Sequence, residues 1–213
     1  MIAAQRRDWT VLLVGGPSGS GKTMVAERVG LQSHVPWLQV DDLRLTLQFS
    51  HVTLPEGTEA LYFLERTHAW SLSPEQLRDG LIAVGEVMFP ALEVVIQHHV
   101  ATDKPLVIEG DGILPSLVAR SILREYVAGG HVRTAFLVEP DESAILNNML
   151  ARGRGFEART TDEQRTEARA KWLYGQWLAE EAQRYGLPVL EPRPWDTLVE
   201  RVLAATTTSQ TGL

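Results

Sequence analysis

The segment Gly16-Pro17-Ser18-Gly19-Ser20-Gly21-Lys22-Thr23 fits the pattern G-x-x-x-x-G-K-[ST] in full. Its glycines let the backbone wrap closely around an anion with successive N–H groups turned inward, and a following helix adds its positive N-terminal end. In such a loop Lys22 neutralises β- and γ-phosphates, and the Thr23 hydroxyl ligates Mg²⁺. The apolar run "TVLLVG" at 10–15 comes before it and a helical pattern comes after, a context that a chance glycine-rich turn lacks. The chemistry implied is binding of a nucleoside triphosphate. The reaction stays open at this point, because switches, motors and kinases share the loop.

Downstream acidic residues and arginines narrow it. In a parallel sheet the chemistry gathers beyond the carboxyl ends of the strands, and two acidic groups fall there: Asp41-Asp42 in "VDDLR", and Glu109 with Asp111 in "VIEGDGILP". A carboxylate after the second strand can accept a hydrogen bond from a substrate hydroxyl, aim it at the γ-phosphate and take its proton. Asp41 is assigned that role. Asp42 is the other candidate base, and its place before "LRLTL" also suits a helix N-cap. Glu109, ending an apolar strand, can support the Mg²⁺ in the manner of a Walker B acid, and Asp111 faces the substrate side. Arg152, Arg154 and Arg159 lie in the glycine-containing segment "MLARGRGFEARTTDEQ". Arginine forks match phosphate oxygens, so this segment is expected to be a lid that closes over ATP and excludes water.

The elements needed to position these groups are legible as short apolar runs alternating with helical patterns. Strands are expected at 10–15, 36–41, 104–110, 132–139 and 187–191, and helices at 22–31, from Pro115 to before Gly129, after Asp141, and over 196–205. Ser73-Pro74-Glu75-Gln76 is a capping box opening a long helix with a stripe through Leu81, Val84, Met88, Leu92 and Val95, which Pro90 should kink or break. Thr161-Asp162-Glu163-Gln164 repeats the box ahead of a helix whose buried face reads Ala168, Trp172, Gly175, Leu178, Ala182 and Tyr185. Tyr62, Phe63 and Trp70 read as core or pocket lining, and His68 falls in the same region. The adjacent His98-His99 point in different directions on a helix and make a poor ligand pair.

The chain has 213 residues, 44% hydrophobic and 22% charged, a balance that suits one domain with a full core. A net charge of −7 speaks against a general nucleic-acid surface, and the lack of cysteine excludes disulfides, thiolate metal sites and a cysteine nucleophile. No run approaches the ~20 apolar residues of a membrane span, and "MIAAQRRDW" lacks the core of a signal peptide, so a cytoplasmic protein is expected.

The combination resembles the P-loop small-molecule kinases, the group that contains nucleoside monophosphate, shikimate and gluconate kinases. Within it, "PWLQVDDLR" and "LRDGLIAVGEVMFPALEVVIQHHVATDKPLVIEGDGILP" are similar to the archaeal-type 2-phosphoglycerate kinases and the chloramphenicol phosphotransferases. The resemblance maps the family's strand-two aspartate to Asp41 and an arginine three residues on to Arg44, placing both against the acceptor. It also implies that the loop "EPRPWD" packs on adenine, with Arg193 stacking on the ring. Asp42 and Asp111 add acidity that a phosphorylated acceptor would not favour.

The expected architecture is therefore an α/β P-loop NTPase sandwich over 1–206, with a five-stranded parallel sheet. A helical substrate-binding region at 42–103, a lid at 150–162 and a disordered tail at 207–213 complete it. Its phosphate site comprises Gly16, Pro17, Ser18, Gly19, Ser20, Gly21, Lys22 and Thr23, joined by Arg159 and Arg193. The expected activity is transfer of the γ-phosphate of ATP, with Mg²⁺, to a hydroxyl of a small molecule. A kinase of a nucleotide sugar like the zeta toxins and a nucleotide-gated ATPase controlling a partner are the alternatives.

Overall fold

A computed structural model describes residues 8–65, 71–153 and 156–208. Arg66, His68, Trp70 and Arg154 lie outside the described residues. Five strands form one parallel sheet in the order β2-β3-β1-β4-β5, with β1 Val11–Gly15, β2 Trp37–Gln39, β3 Leu106–Gly110, β4 Val132–Leu137 and β5 Val189–Leu190. The helices are α1 Lys22–Ser33, α2 Val40–Phe49, α3 Pro74–Ala101, α4 Ser121–Ala128, α5 Glu142–Arg152, α6 Thr161–Arg184 and α7 Leu198–Thr208.

Residue alternation along the central strands divides the core into two layers. Val11 and Leu13 of β1, Leu106 and Ile108 of β3, and Val132 and Phe136 of β4 face one cluster, with Met88, Leu92 and Ile96 of α3, Leu123 of α4, and Tyr174 and Leu178 of α6. Leu12, Val14, Val107, Ala135 and Leu137 face the other, against Val25 and Val29 of α1 and Val199 and Val202 of α7. Both faces are covered, which is why β1 and most of β3 read as continuous apolar runs rather than alternating ones. The registers Gly15↔Gly110 and Gly15↔Phe136 bring the carboxyl ends of the central strands level. Strands β2 and β3 lie on one side of β1 and β4 and β5 on the other, and the loop after β1 sits at that switch point.

The structure departs from the sequence reading at several boundaries. The second strand ends at Gln39, so Asp41 and Asp42 lie in the first turn of α2, and Asp42 is not an N-cap. Val40 turns into the helix because its side chain fills the space beside Gly110 and Gly112. Pro90 does not break α3, which is continuous across it. Pro90 and Glu86, whose carbonyl the missing proline N–H would have met, are both exposed, a side of the helix where the loss costs least. Past β3 the helix expected from Pro115 is a 3₁₀ turn, Pro115–Ala119, separated from α4 by the extended Arg120. The last helix runs to Thr208, so 207 and 208 belong to it and not to a tail.

At the start of α6 the capping box is one residue earlier than expected. Thr160 is the N-cap; its hydroxyl accepts from the Glu163 N–H at 3.3 Å, and the Thr160 N–H donates to Glu163 Oε2 at 2.9 Å. Replacing Thr160 with Ala is therefore expected to cost about 1 kcal/mol in urea unfolding. Thr161→Ala should stay within about 0.5 kcal/mol of wild type, as surface changes away from caps do; a larger loss at 161 would reverse the register.

Candidate active site

The loop from Gly16 to Gly21 rises from β1 and feeds α1, whose N-cap Gly21 is left-handed with φ 87°. Gly16 has φ 144°, and a Cβ there would stand 2.2 Å from the Leu137 carbonyl oxygen, so the loop folds back onto the end of β4 only because that residue is glycine. From α5, Asn148 Nδ2 donates to the Gly19 carbonyl at 2.9 Å and fixes the loop's outer side.

Lys22 is 5% exposed and begins α1. Its ammonium donates to the Pro17 carbonyl at 2.9 Å and lies 2.8 Å from Asp111 Oδ1. The next residue, Thr23, donates its hydroxyl to Glu109 Oε1 at 2.8 Å. The loop and the end of β3 are thus joined twice, through Thr23–Glu109 and Lys22–Asp111. Burial is the largest influence on Glu109 and pushes its carboxyl above the ordinary range; Lys22 and the Thr23 hydrogen bond oppose this, and the charges of Asp111 and Asp41 add to it. For Asp111, burial would also raise the carboxyl, but the ammonium groups of Lys171 and Lys22 outweigh it and hold it well below the usual carboxylate range.

Asp41 is open to solvent, its side chain 65% exposed, and Arg44 Nε meets its Oδ1 at 3.3 Å. Arg44 also donates to Gln48 Oε1 at 3.1 Å, and Gln48 in turn donates to the Leu61 carbonyl at 2.7 Å, which ties α2 to the 3₁₀ segment Glu59–Glu65. Beside the loop a cavity of about 480 Å³ is lined by Gly19, Gly21, Lys22, Thr23, Arg152 and Trp195, among others. Arg152 reaches it from the last turn of α5. Arg159 pairs with Glu167 of α6 and lies over the Phe156 ring at 5.8 Å, and it lines a smaller neighbouring cleft with Ser18 and Arg152.

Some expected residues are placed elsewhere, and some present at the site were missed. Arg193 is committed to buried Glu139, 2.6 Å away, and does not line the cavity; Trp195 does, packed so closely on Gly21 that a Cβ there would lie 2.3 Å from its ring. The loop carrying Trp195 is held by Arg201 of α7, which donates to the carbonyls of Glu191, Pro192 and Pro194 at 2.9, 3.2 and 2.9 Å. On α6, Lys171 lies 2.8 Å from Asp111 Oδ2, and the Tyr174 hydroxyl donates to the Asp111 backbone carbonyl. Lys171, Tyr174, Leu178 and Ala182 are all buried at helical spacing, so a lysine heading a buried stripe was the signal that could have found it. Trp172, read as buried, is only half-covered and donates its Nε1–H to the Pro140 carbonyl at 2.8 Å.

No protein-family model matches the chain, and no curated protein matches it. Among solved structures it is similar to a gluconokinase from Sinorhizobium meliloti 1021, with a TM-score of 0.53, 18% identity, and coverage of 95% of this chain and 94% of that one. A shikimate kinase from Acinetobacter baumannii in complex with shikimate aligns with a TM-score of 0.49, 13% identity and coverage of 92% and 89%. A sugar kinase from Janibacter sp. HTCC2649 aligns with a TM-score of 0.47, 18% identity and coverage of 92% and 94%. The likeness is one of fold. It matches the three-layer architecture with the phosphate loop after the central strand.

Glu109 supplies a measurable signature of the site. A carboxyl whose folded pKa lies above its unfolded value of about 4.3 opposes folding once ionised, so the destabilisation appears as pH rises above that value. In protein free of nucleotide and divalent cation, Glu109→Gln should match wild type in melting temperature near pH 4 and exceed it at pH 8. Equal melting at both pH values would mean that Lys22 and Thr23 compensate the buried charge in full.

Proposed function

We propose that this protein is an ATP-dependent kinase that transfers the γ-phosphoryl group to a hydroxyl of a small-molecule acceptor. The observation that carries this reading is the convergence, at the carboxyl edge of one sheet, of a triphosphate loop after β1 and the solvent-accessible carboxylate of Asp41 after β2, with Glu109 of β3 between them. A hydrolytic switch has no need of an open carboxylate beside the loop, whereas a kinase needs one to meet its acceptor. The fold likeness to gluconokinase, by its name a kinase, accords with this.

In this reading the backbone N–H groups of Gly16 to Gly21 and the start of α1 cradle the phosphates, and Lys22 sits against their β- and γ-oxygens. The Thr23 hydroxyl and the Glu109 carboxylate are adjacent hard oxygen donors, and a cation beside them would relieve the buried charge of Glu109. Mg²⁺ takes one or two protein oxygens and completes its shell with phosphates and water, so these two donors would suffice to hold it. Held there by Thr23 and Glu109, Mg²⁺ would supply positive charge to offset that on the transferring group.

Asp41 accepts the acceptor's hydroxyl proton as that oxygen attacks the γ-phosphorus and the bond to the β–γ bridging oxygen breaks, leaving ADP. Arg44 holds the Asp41 carboxylate in place, and Asp111 lines the acceptor side. Arg152 and Arg159 supply positive charge along the phosphate path from the lid, with Arg154 assigned there on sequence alone. The nucleobase lies in the cavity against Trp195, the surface that Arg193, held by Glu139, does not offer.

The decisive experiment measures Mg²⁺-dependent ADP release across neutral polyols, sugar acids, nucleosides and hydroxyl-bearing antibiotics. One acceptor class should raise turnover well above background. Asp41→Asn should lower kcat at least about a thousandfold with the affinity for ATP within about threefold of wild type, whereas Lys22→Ala should lose ATP binding. ADP release that ignores every acceptor and survives Asp41→Asn would replace the kinase reading with a nucleotide-gated module.

A further inference from the structure

The ammonium of Lys22 is already engaged in the nucleotide-free protein. It meets Asp111 Oδ1 at 2.8 Å and the Pro17 carbonyl at 2.9 Å, although the phosphates of a nucleotide require that same group. Asp111 is fixed from several sides. Lys171 holds Oδ2 at 2.8 Å, the Ser18 hydroxyl donates to Oδ2 at 3.1 Å, and Tyr174 donates to the residue's own carbonyl. Lys22 and Lys171 are 5% and 7% exposed, so neither can give up its counter-charge to water at small cost.

We propose that Asp111 is an internal anion that competes with nucleotide phosphate for Lys22, and that Lys171 is the positioning residue that retains the carboxylate when nucleotide displaces it. The inference rests on the kinase reading above. A carboxylate and a phosphoryl group are both compact, multi-oxygen anions that seat well on an ammonium. With Asp111 in place an incoming phosphate meets a lysine whose charge is largely cancelled, and it also meets the negative charge responsible. Nucleotide binding must therefore break the Lys22–Asp111 contact. Lys171 lowers the cost of that exchange, because the displaced carboxylate keeps one buried partner on Oδ2.

A consequence for the acceptor follows from the same geometry. Oδ1 of Asp111 is occupied by Lys22 until nucleotide draws the lysine away. Only then does that oxygen become free to accept a hydrogen bond from an acceptor hydroxyl. The arrangement favours nucleotide binding before acceptor, and it makes Asp111 and Lys171 determinants of nucleotide affinity though neither need touch the nucleotide.

The test is calorimetric titration of Mg-ADP into wild type, Asp111→Asn, Lys171→Met and the double variant, each checked for folding by its thermal transition. Asp111→Asn should bind on the order of tenfold tighter than wild type, the reverse of what loss of a ligand-binding residue produces. Lys171→Met, which leaves Lys22 as the one ammonium on Asp111 among the described residues, should bind on the order of tenfold more weakly. The double variant should bind as Asp111→Asn does, since Lys171 acts only through the carboxylate. Unchanged or weaker binding by a folded Asp111→Asn overturns the proposal. So does a Lys171→Met loss that persists in full when combined with Asp111→Asn, which would put Lys171 on the nucleotide itself. If Asp111→Asn does not fold, Lys171→Met decides alone: weaker binding supports the competition and unchanged binding overturns it. Failure of wild type to bind Mg-ADP would remove the kinase reading and this inference together, whereas binding with none of these differences removes the inference only.

Discussion

Asp111 stands just beyond β3 with Lys22 on one carboxylate oxygen and Lys171 on the other, each at 2.8 Å. Those contacts join the start of α1, the end of the sheet and the middle of α6, segments brought together only by the complete fold. The lysines are nearly buried, and an unpaired ammonium at such depth would carry a large desolvation penalty. The cluster is tolerated because the charges meet at short range and the carboxylate's second oxygen also accepts from Ser18. Remove the carboxylate from that position and buried charges of one sign are left facing each other across the phosphate loop.

The central strands β1 and β3 support this concentration of charge on an apolar base. Val11 to Val14, Leu106 to Ile108 and Ala135 to Leu137 are buried on both faces, and the first polar side chains of β1 and β3 toward the carboxyl edge belong to the site. Glu109 is the last side chain of β3 before Gly110, and its partner Thr23 opens the helix that follows the loop. Gly16 and Gly110 are where neighbouring groups, the Leu137 carbonyl and Val40, come too near for a side chain. A packed core ending in a polar rim places the donors in fixed register without the loop having to define its own shape.

How much of this could be read from the amino-acid order depended on how far apart the cooperating residues lie. The phosphate loop is contiguous, so its residue types and spacing carried its geometry, and Thr23, Lys22 and Glu109 stand together as strand order requires. The strands β1 and β3 were legible because burial on both faces leaves no polar alternation. Boundaries were less so. Val40 enters a helix because of the space beside Gly110, a tertiary cause that no local pattern shows, and Pro90 stays helical because its lost hydrogen bond falls on the wet side. Lys171 was missed because it is 60 residues from Asp111 and looks, in sequence, like any lysine on a long helix. Trp195 rather than Arg193 lines the cavity for a similar reason: Glu139, at the end of another strand, pairs with the arginine.

α6 is the element that makes these separate contacts depend on one another. Near its start Glu167 holds Arg159, which precedes the helix; one turn on, Lys171 holds Asp111; Tyr174, the next residue on that face, fixes the Asp111 backbone and stacks on Trp177 with ring centroids 6.1 Å apart. A helix is stiff over such a length, so these residues keep fixed spacing. The capping box at Thr160 and Glu163 sets where that stiffness begins. Arg152 lies before that boundary, at the end of α5, while Glu167, Lys171 and Tyr174 lie after it. The Arg159 pair and the Asp111 cluster thus rest on one rigid element, which sets the distance between them.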